Sequence, residues 1–250
     1  MQSSPLDRYF AREAATASKL LEIVRADLGS VLRVCDGQEK QTNTTRSLLA
    51  DLAKGQVPTR WRLFKCREMP VSAWVANFAR RMTQVRQTQE ASAAATAIEI
   101  GLLFHPHGFV TATRQAAAHS LGVSLETLQL SLRVGSDDAS ATAFPVDGPS
   151  LSDHRSPPPL AHFHLAGLGV SGALWADEQL KLDDSALKRM PKTTLTWADS
   201  SAVAHSSAVE VPCWLDATRA DQLFTVSLAA DGFDSDMAAQ HAVSLLASVD

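Results

Sequence analysis

The sequence is poor in cysteine: three in 250 residues, Cys35, Cys66 and Cys213. They are odd in number and far apart, which excludes a disulfide framework and predicts free thiols in a reducing compartment. No C-x-x-C pair or other zinc spacing occurs, so no metal ligand set is expected. No apolar run approaches the roughly 20 residues that cross a bilayer, so no membrane partner is expected. Residues 1–20 hold Asp7, Arg8, Arg12 and Glu13, and no signal-peptide core is expected there. A Walker A loop is missing. Gly37-Gln38-Glu39-Lys40 lacks the second glycine and follows a helical stretch, so the protein is not expected to bind ATP through a P-loop of its own. The nucleophile elbow G-x-S-x-G is missing too, since Ser171 sits in Gly169-Val170-Ser171-Gly172. No internal repeat is apparent.

What remains is ordinary globular material, 45% hydrophobic and 20% charged, long enough for one large domain or two small ones. The net charge of −4 hides an asymmetry. Residues 1–90 hold 15 Lys and Arg against 9 Asp and Glu, and residues 91–250 hold 8 against 18. The two halves attract each other or face different partners.

The first half reads as helices. Ser4-Pro5 is a start signal. Phe10, Ala14, Ala17, Leu21, Val24, Leu28 and Val31 then draw one continuous stripe. Asp36-Gly37 supplies the stop. A helix over 5–35 is about 46 Å long, more than a small domain's diameter, so it forms a coiled coil or lies across a larger body. Residues 42–55 predict a shorter helix closed by Gly55. Pro70 opens another with Val71, Trp74, Val75, Phe78, Met82 and Val85 on one face. Residues 87–97 read as a connector, and Pro106–Leu121 as a helix closed by Gly122.

The period changes near residue 124. Residues 125–134 alternate as a strand, and 135–160 read as a mobile surface loop rich in Gly, Ser, Asp and Pro. Short strands are predicted at about 161–175, 193–198, 208–215 and 223–229. Helices first and strands later make the class α+β: a helical subdomain over 1–124 and a small, incomplete antiparallel β-barrel over 125–250.

Three motifs invite function. Gly167-Leu168-Gly169-Val170-Ser171-Gly172 spells G-x-G-x-x-G, but the following residues alternate Leu180 and Leu182 with polar neighbours, leaving no room for a phosphate-binding helix. The glycines read as bends in a strand, and no cofactor is expected. The pairs His105/His107 and His162/His164 each place two imidazoles on one face if the backbone is extended, where they could ligate a metal. No third ligand accompanies either pair, and both read as surface or strand histidines. Seven basic residues between Arg60 and Arg86 (Arg60, Arg62, Lys65, Arg67, Arg80, Arg81 and Arg86) interleave with Trp61, Phe64, Trp74 and Phe78. That pattern suits a nucleic-acid or scaffold surface. In an acidic protein it reads instead as an intramolecular or protein–protein dock with its aromatics in the core, and no nucleic-acid partner is expected.

Several phrases together resemble the C-terminal region of dynein heavy chains. They are PLDRYFAREAATASKLLEIVRADLGSVLRVCDG, KQTNTTRSLLADLAKGQVPTRW, VSAWVANFARRM, GLLFHPHGFVTATRQAAAHSLGVSLETLQL, GLGVSGALW and VPCWLDATRADQLFTV, in the family's order and across most of the sequence. ATRADQLFTV looks more like cytoplasmic than axonemal dynein. Gly167 to Trp175 is similar to the family's barrel strand GLxLxGAxW, while loop 135–160 and the residues after Asp231 depart from the family. The resemblance implies a regulatory and structural domain of a minus-end-directed microtubule motor. Its long helix runs across the face of an AAA+ ring and modulates processivity, force and ATPase coupling. It also implies that ATP and Mg²⁺ are held elsewhere in the motor polypeptide, with no cofactor and no chemistry in this region. The implied partners are the AAA+ modules of the same polypeptide and the dynein complex, with microtubules reached only through the parent motor, in the cytoplasm and cytoskeleton. Phe10, Leu21, Val24 and Leu28 are the expected packing face. Trp61, Trp74, Phe104 and Phe109 are expected in the core, and Arg114 as a buried or interface donor or a plain surface arginine. The alternative is a stand-alone module, binding a cofactor or a protein through its β-barrel.

Overall fold

The computed structural model describes residues 4–64, 68–90, 97–135, 162–184, 187–199 and 208–248. They fall into two compact units, one of Met1–Thr96 with Leu102–Phe109 and one of Ala97–Gly101 with Val110–Asp250.

The first unit is built on α1 (Pro5–Cys35), which starts and stops at the expected residues. Ser4 and Asp7 form a capping box: Ser4 Oγ accepts the Asp7 N–H at 3.1 Å, and Asp7 Oδ2 accepts the Ser4 N–H at 3.0 Å. Replacing Ser4 with alanine is expected to cost about 1 kcal/mol in urea unfolding. Asp36 caps the far end, and Gly37 follows in the left-handed region at φ 72°. Next come α2 (Asn43–Ala53), capped by Thr42, then a 3₁₀ turn over Thr59–Trp61, then α3 (Val71–Glu90). α3 takes in Gln87–Glu90, the first part of the expected connector. Thr88 is buried there, and its hydroxyl donates to the Val85 carbonyl at 2.8 Å. Residues 91–96 lie outside the described part.

The second unit opens with β1 (Ile98–Glu99) and takes most of α4 (Pro106–Leu121), whose bounds match expectation. The second compact unit takes in the chain from Val110 onward, within α4. The reason is packing: Ala112, Ala116, Ala117 and Ala118 are buried in this unit. The predicted strand at 125 begins as a 3₁₀ turn over Leu125–Thr127, because the Ser124 side chain caps it. The strands proper are β2 (Leu128–Val134), β3 (His162–Ala166), β4 (Gly169–Ser171), β5 (Ala173–Ala176), β6 (Gln179–Leu182), β7 (Lys188–Arg189), β8 (Thr193–Asp199), β9 (Ala208–Trp214) and β10 (Gln222–Ala229). A short helix α5 (Ser235–Gln240) and β11 (Ser244–Leu246) complete it. The loop expected over 135–160 lies outside the described residues beyond Gly135.

Nine strands pair in the order β1-β3-β8-β2-β10-β9-β11-β4-β7, and β5 and β6 form a separate hairpin. The expectation of an antiparallel sheet is corrected, for β1·β3, β2·β10 and β9·β11 are parallel. Parallel neighbours need a crossover between them, and α4 with β2, and α5 with β10, lie in those connections. The strand pairings run from edge strand β1 to edge strand β7, and a closed barrel is not among them. Cross-strand rows make the core. Leu132, Leu195 and Phe163 form one row, and Phe224, Cys213, Leu245 and Val170 another, all buried. Burial pushes the Cys213 thiol well above its ordinary range, so it is an inert core residue.

Candidate functional site

α1 organises the first unit through two acids in its buried face. Its buried residues are Leu6, Tyr9, Phe10, Glu13, Ala17, Leu20 and Asp27. Of the expected packing face, Phe10 is buried within the unit, Leu21 and Val24 are partly buried, and Leu28 is 40% exposed. Asp27 helps set which side of α1 turns inward. Its carboxylate accepts the Trp61 Nε1–H at 2.9 Å and the Arg60 guanidinium at 2.7 Å, which turns position 27 inward and 28 outward.

Glu13 is 1% exposed. One carboxylate oxygen accepts the Phe104 N–H at 2.8 Å; the other accepts the His105 N–H at 2.9 Å and lies 2.9 Å from His105 Nδ1. Tyr9, the protein's one tyrosine, donates its hydroxyl to the His105 carbonyl at 3.2 Å. Burial pushes that phenol far above its ordinary pKa, and the Glu13 charge adds to the effect. Tyr9, Phe10 and Phe109 pack at ring separations of 5.2 to 6.3 Å. The segment Phe104–Phe109 is thereby fastened to α1 by a charge-assisted clamp with an aromatic floor.

Arg81 secures the other side. It is buried, donates from Nη1 to the Leu103 carbonyl at 2.7 Å and from Nε to Asn77 at 2.7 Å, and lies 4.3 Å from the Phe64 ring centroid. Phe64 and Phe104 flank it, and they pack with Trp61, Trp74 and Phe78 as one buried aromatic group. Among the described residues, the indole N–H of Trp74 has no partner. Within the stretch from Arg60 to Arg86, the aromatics and Arg81 pack inward. Its aromatics are buried, Arg60 pairs with Asp27 while 58% of its side chain stays exposed, and Arg62 donates twice to the Val57 carbonyl. Lys65 and Arg67 lie outside the described residues.

In the second unit, half-buried Arg114 donates from Nε to the Leu125 carbonyl at 3.0 Å and lies 5.6 Å from the Trp197 ring centroid, while Trp197 donates to Thr113 at 3.1 Å. It anchors α4 to β8. The stretch Gly167–Gly172 is strand and bend: Gly167 and Gly172 sit at φ 73° and 75° on either side of β4, and β5 follows where a dinucleotide site needs a helix. His105 and His107 lie at the start of α4, where Glu13 engages His105, so only His162 and His164 share a strand face. Among the described residues, no three potential ligands converge and no helix is long and apolar enough to cross a membrane.

The buried roles of Glu13, Asp27 and Arg81 were not expected from the sequence. A signal was available for two of them. Glu13 lies between Phe10 and Ala17, and Asp27 between Val24 and Val31, each at helical spacing inside the apolar stripe.

Comparison with known proteins places this architecture. A family model for the C-terminal domain of the dynein heavy chain matches residues 1–247. The cytoplasmic dynein heavy chain of Drosophila melanogaster is 32% identical over 253 aligned positions, covering 98% of the present sequence and 5% of that protein. The cytoplasmic dynein heavy chain of Dictyostelium discoideum is 33% identical over 232, covering 91% and 4%. The human protein dynein axonemal heavy chain 1 is 22% identical over 186, covering 74% and 4%. The 250 residues thus span about a twentieth of the relatives they match.

Proposed function

The protein belongs to the family of C-terminal domains of dynein heavy chains, and from that membership we propose that it acts as a non-catalytic brace within a microtubule motor. It packs on the AAA+ ring of its own heavy chain and modulates processivity, force and the coupling of ATP hydrolysis to movement. ATP and Mg²⁺ belong to other parts of that heavy chain, and its place is the cytoplasm and cytoskeleton.

One observation carries this reading. The N-terminal half of α1 is buried in its own unit, whereas the other half presents Leu28 and Leu32, 40% and 63% exposed, one helical turn apart. A helix about 46 Å long with an apolar outer stripe suits contact with a body larger than the domain. A ring that changes shape as it works is biased by anything that binds its states unequally, so such a contact alters motor output without doing chemistry.

Two measurements test it. An antibody against the protein should detect, in native extract, a band many times heavier than 26.8 kDa; a band near that mass would favour the stand-alone module instead. In the full-length motor that includes this domain, Leu28→Asp with Leu32→Asp should change run length, stall force or microtubule-coupled ATPase by roughly fivefold, the scale of about 1 kcal/mol of coupling. The isolated 250 residues should lose no more than about 0.5 kcal/mol of stability from these exposed changes. Unaltered motility and ATPase would overturn the proposal.

A further inference from the structure

The outer face of the sheet carries a feature the bracing role does not use. His162 and His164 stand two residues apart on β3, directly across from Thr196 and Thr194 of β8. Nδ1 of His162 lies 3.0 Å from Thr196 Oγ1, and Nδ1 of His164 lies 3.2 Å from Thr194 Oγ1. Both histidines are exposed, while Thr196 is buried beneath them. The two imidazoles are therefore held by matching contacts on one face, each through the same ring nitrogen.

We infer that His162 and His164 form a two-histidine site for a borderline divalent metal of the zinc class, ligating through Nε2. The chemistry follows from the tautomer. When Nδ1–H donates to the threonine hydroxyl, the lone pair resides on Nε2, at the ring end away from the threonine. Alternate residues on a strand present both rings on one face. Imidazole suits zinc, copper and nickel, and with two protein ligands the remaining coordination positions are taken by water. Arg133, across from Thr194 on β2, opposes a dication and limits the affinity. From the sequence no metal ligand was expected, because no third side chain accompanies the pair. The threonine contacts, invisible before the strands are paired, change that reading.

Zinc titration of the 250-residue protein by calorimetry at pH 7.5, with imidazole NMR on the same sample, tests the site. One zinc should bind and shift the ring signals of both His162 and His164. His162→Gln or His164→Gln alone should weaken binding at least about tenfold, and the double variant should abolish it. Thr194→Val with Thr196→Val, which keeps both histidines, should also weaken it roughly tenfold. Arg133→Gln should tighten it severalfold. If a glutamine variant unfolds, the wild-type ring shifts and the threonine variant decide. Undiminished zinc binding by a folded double variant, ring shifts at only one of the two histidines, or no zinc binding by the wild type at millimolar metal would each overturn the inference.

Discussion

Glu13→Ala is expected to destabilise the protein by about 3–5 kcal/mol in urea unfolding, the cost of removing one member of a buried, charge-assisted set. The carboxylate is 1% exposed and serves three donors: the backbone N–H groups of Phe104 and His105, and the His105 ring. Alanine leaves those donors without their acceptor. Glu13→Gln should recover only part of the loss, because the amide has one accepting oxygen and turns an NH₂ group toward a second N–H. His105→Ala should cost only about 1 kcal/mol, since it removes a half-exposed partner and leaves both backbone bonds in place. Amide exchange gives the local readout, with Phe104 and His105 losing protection in Glu13→Ala before the centre of α3 does. A loss below about 1 kcal/mol, with those two amides still protected, would mean that water takes over from the carboxylate and that the clamp is no more than a surface ion pair.

The clamp also shows where sequence reasoning reached and where it stopped. Local chemistry was legible. Ser4-Pro5, Gly37, Gly55 and Gly122 punctuate α1, α2 and α4 at the residues where those helices stop and start. Their signals are short-range and each is decided by one or two side chains. The burial of Trp61, Trp74, Phe104 and Phe109 was legible from residue type. Phase was not. An apolar stripe at spacings of three and four leaves two adjacent faces nearly equivalent, and Leu20 and Asp27 turn inward because Trp61, distant in sequence, places an N–H opposite Asp27. The parallel strand pairs were illegible for the same reason. Strands of two or three residues such as β1, β7 and β11 carry no alternation to read, and their partners are chosen by segments far away. The two-histidine face depends on β3–β8 register, which the letters H-F-H alone do not contain.

Gly172→Ala is expected to cost at least about 3 kcal/mol and to lower the melting temperature by about 6–12 °C. Two penalties coincide there. The backbone is left-handed at φ 75°, which costs an alanine roughly 1–2 kcal/mol. A Cβ would also stand 2.3 Å from the His241 carbonyl oxygen and 3.1 Å from the Val243 backbone, and no rotamer relieves a clash with backbone. The turn 241–243 has to move, and it leads directly into β11, which pairs with β4 through Ser244↔Ser171 and Leu245↔Val170. Exchange protection should therefore fall first at β4 and β11. Two further glycines of the same handedness separate the penalties. Gly232→Ala, at φ 75° with nothing within 4 Å of the added carbon, should show the backbone term alone. Gly167→Ala, whose Cβ would meet the Glu99 carboxylate at 3.1 Å, should fall between, because that side chain swings aside more readily than a carbonyl of the main chain. Equal losses in all three would mean that backbone handedness alone explains the glycines of this stretch. The graded order ties the spacing that imitates a dinucleotide fingerprint to two bends and a close strand contact.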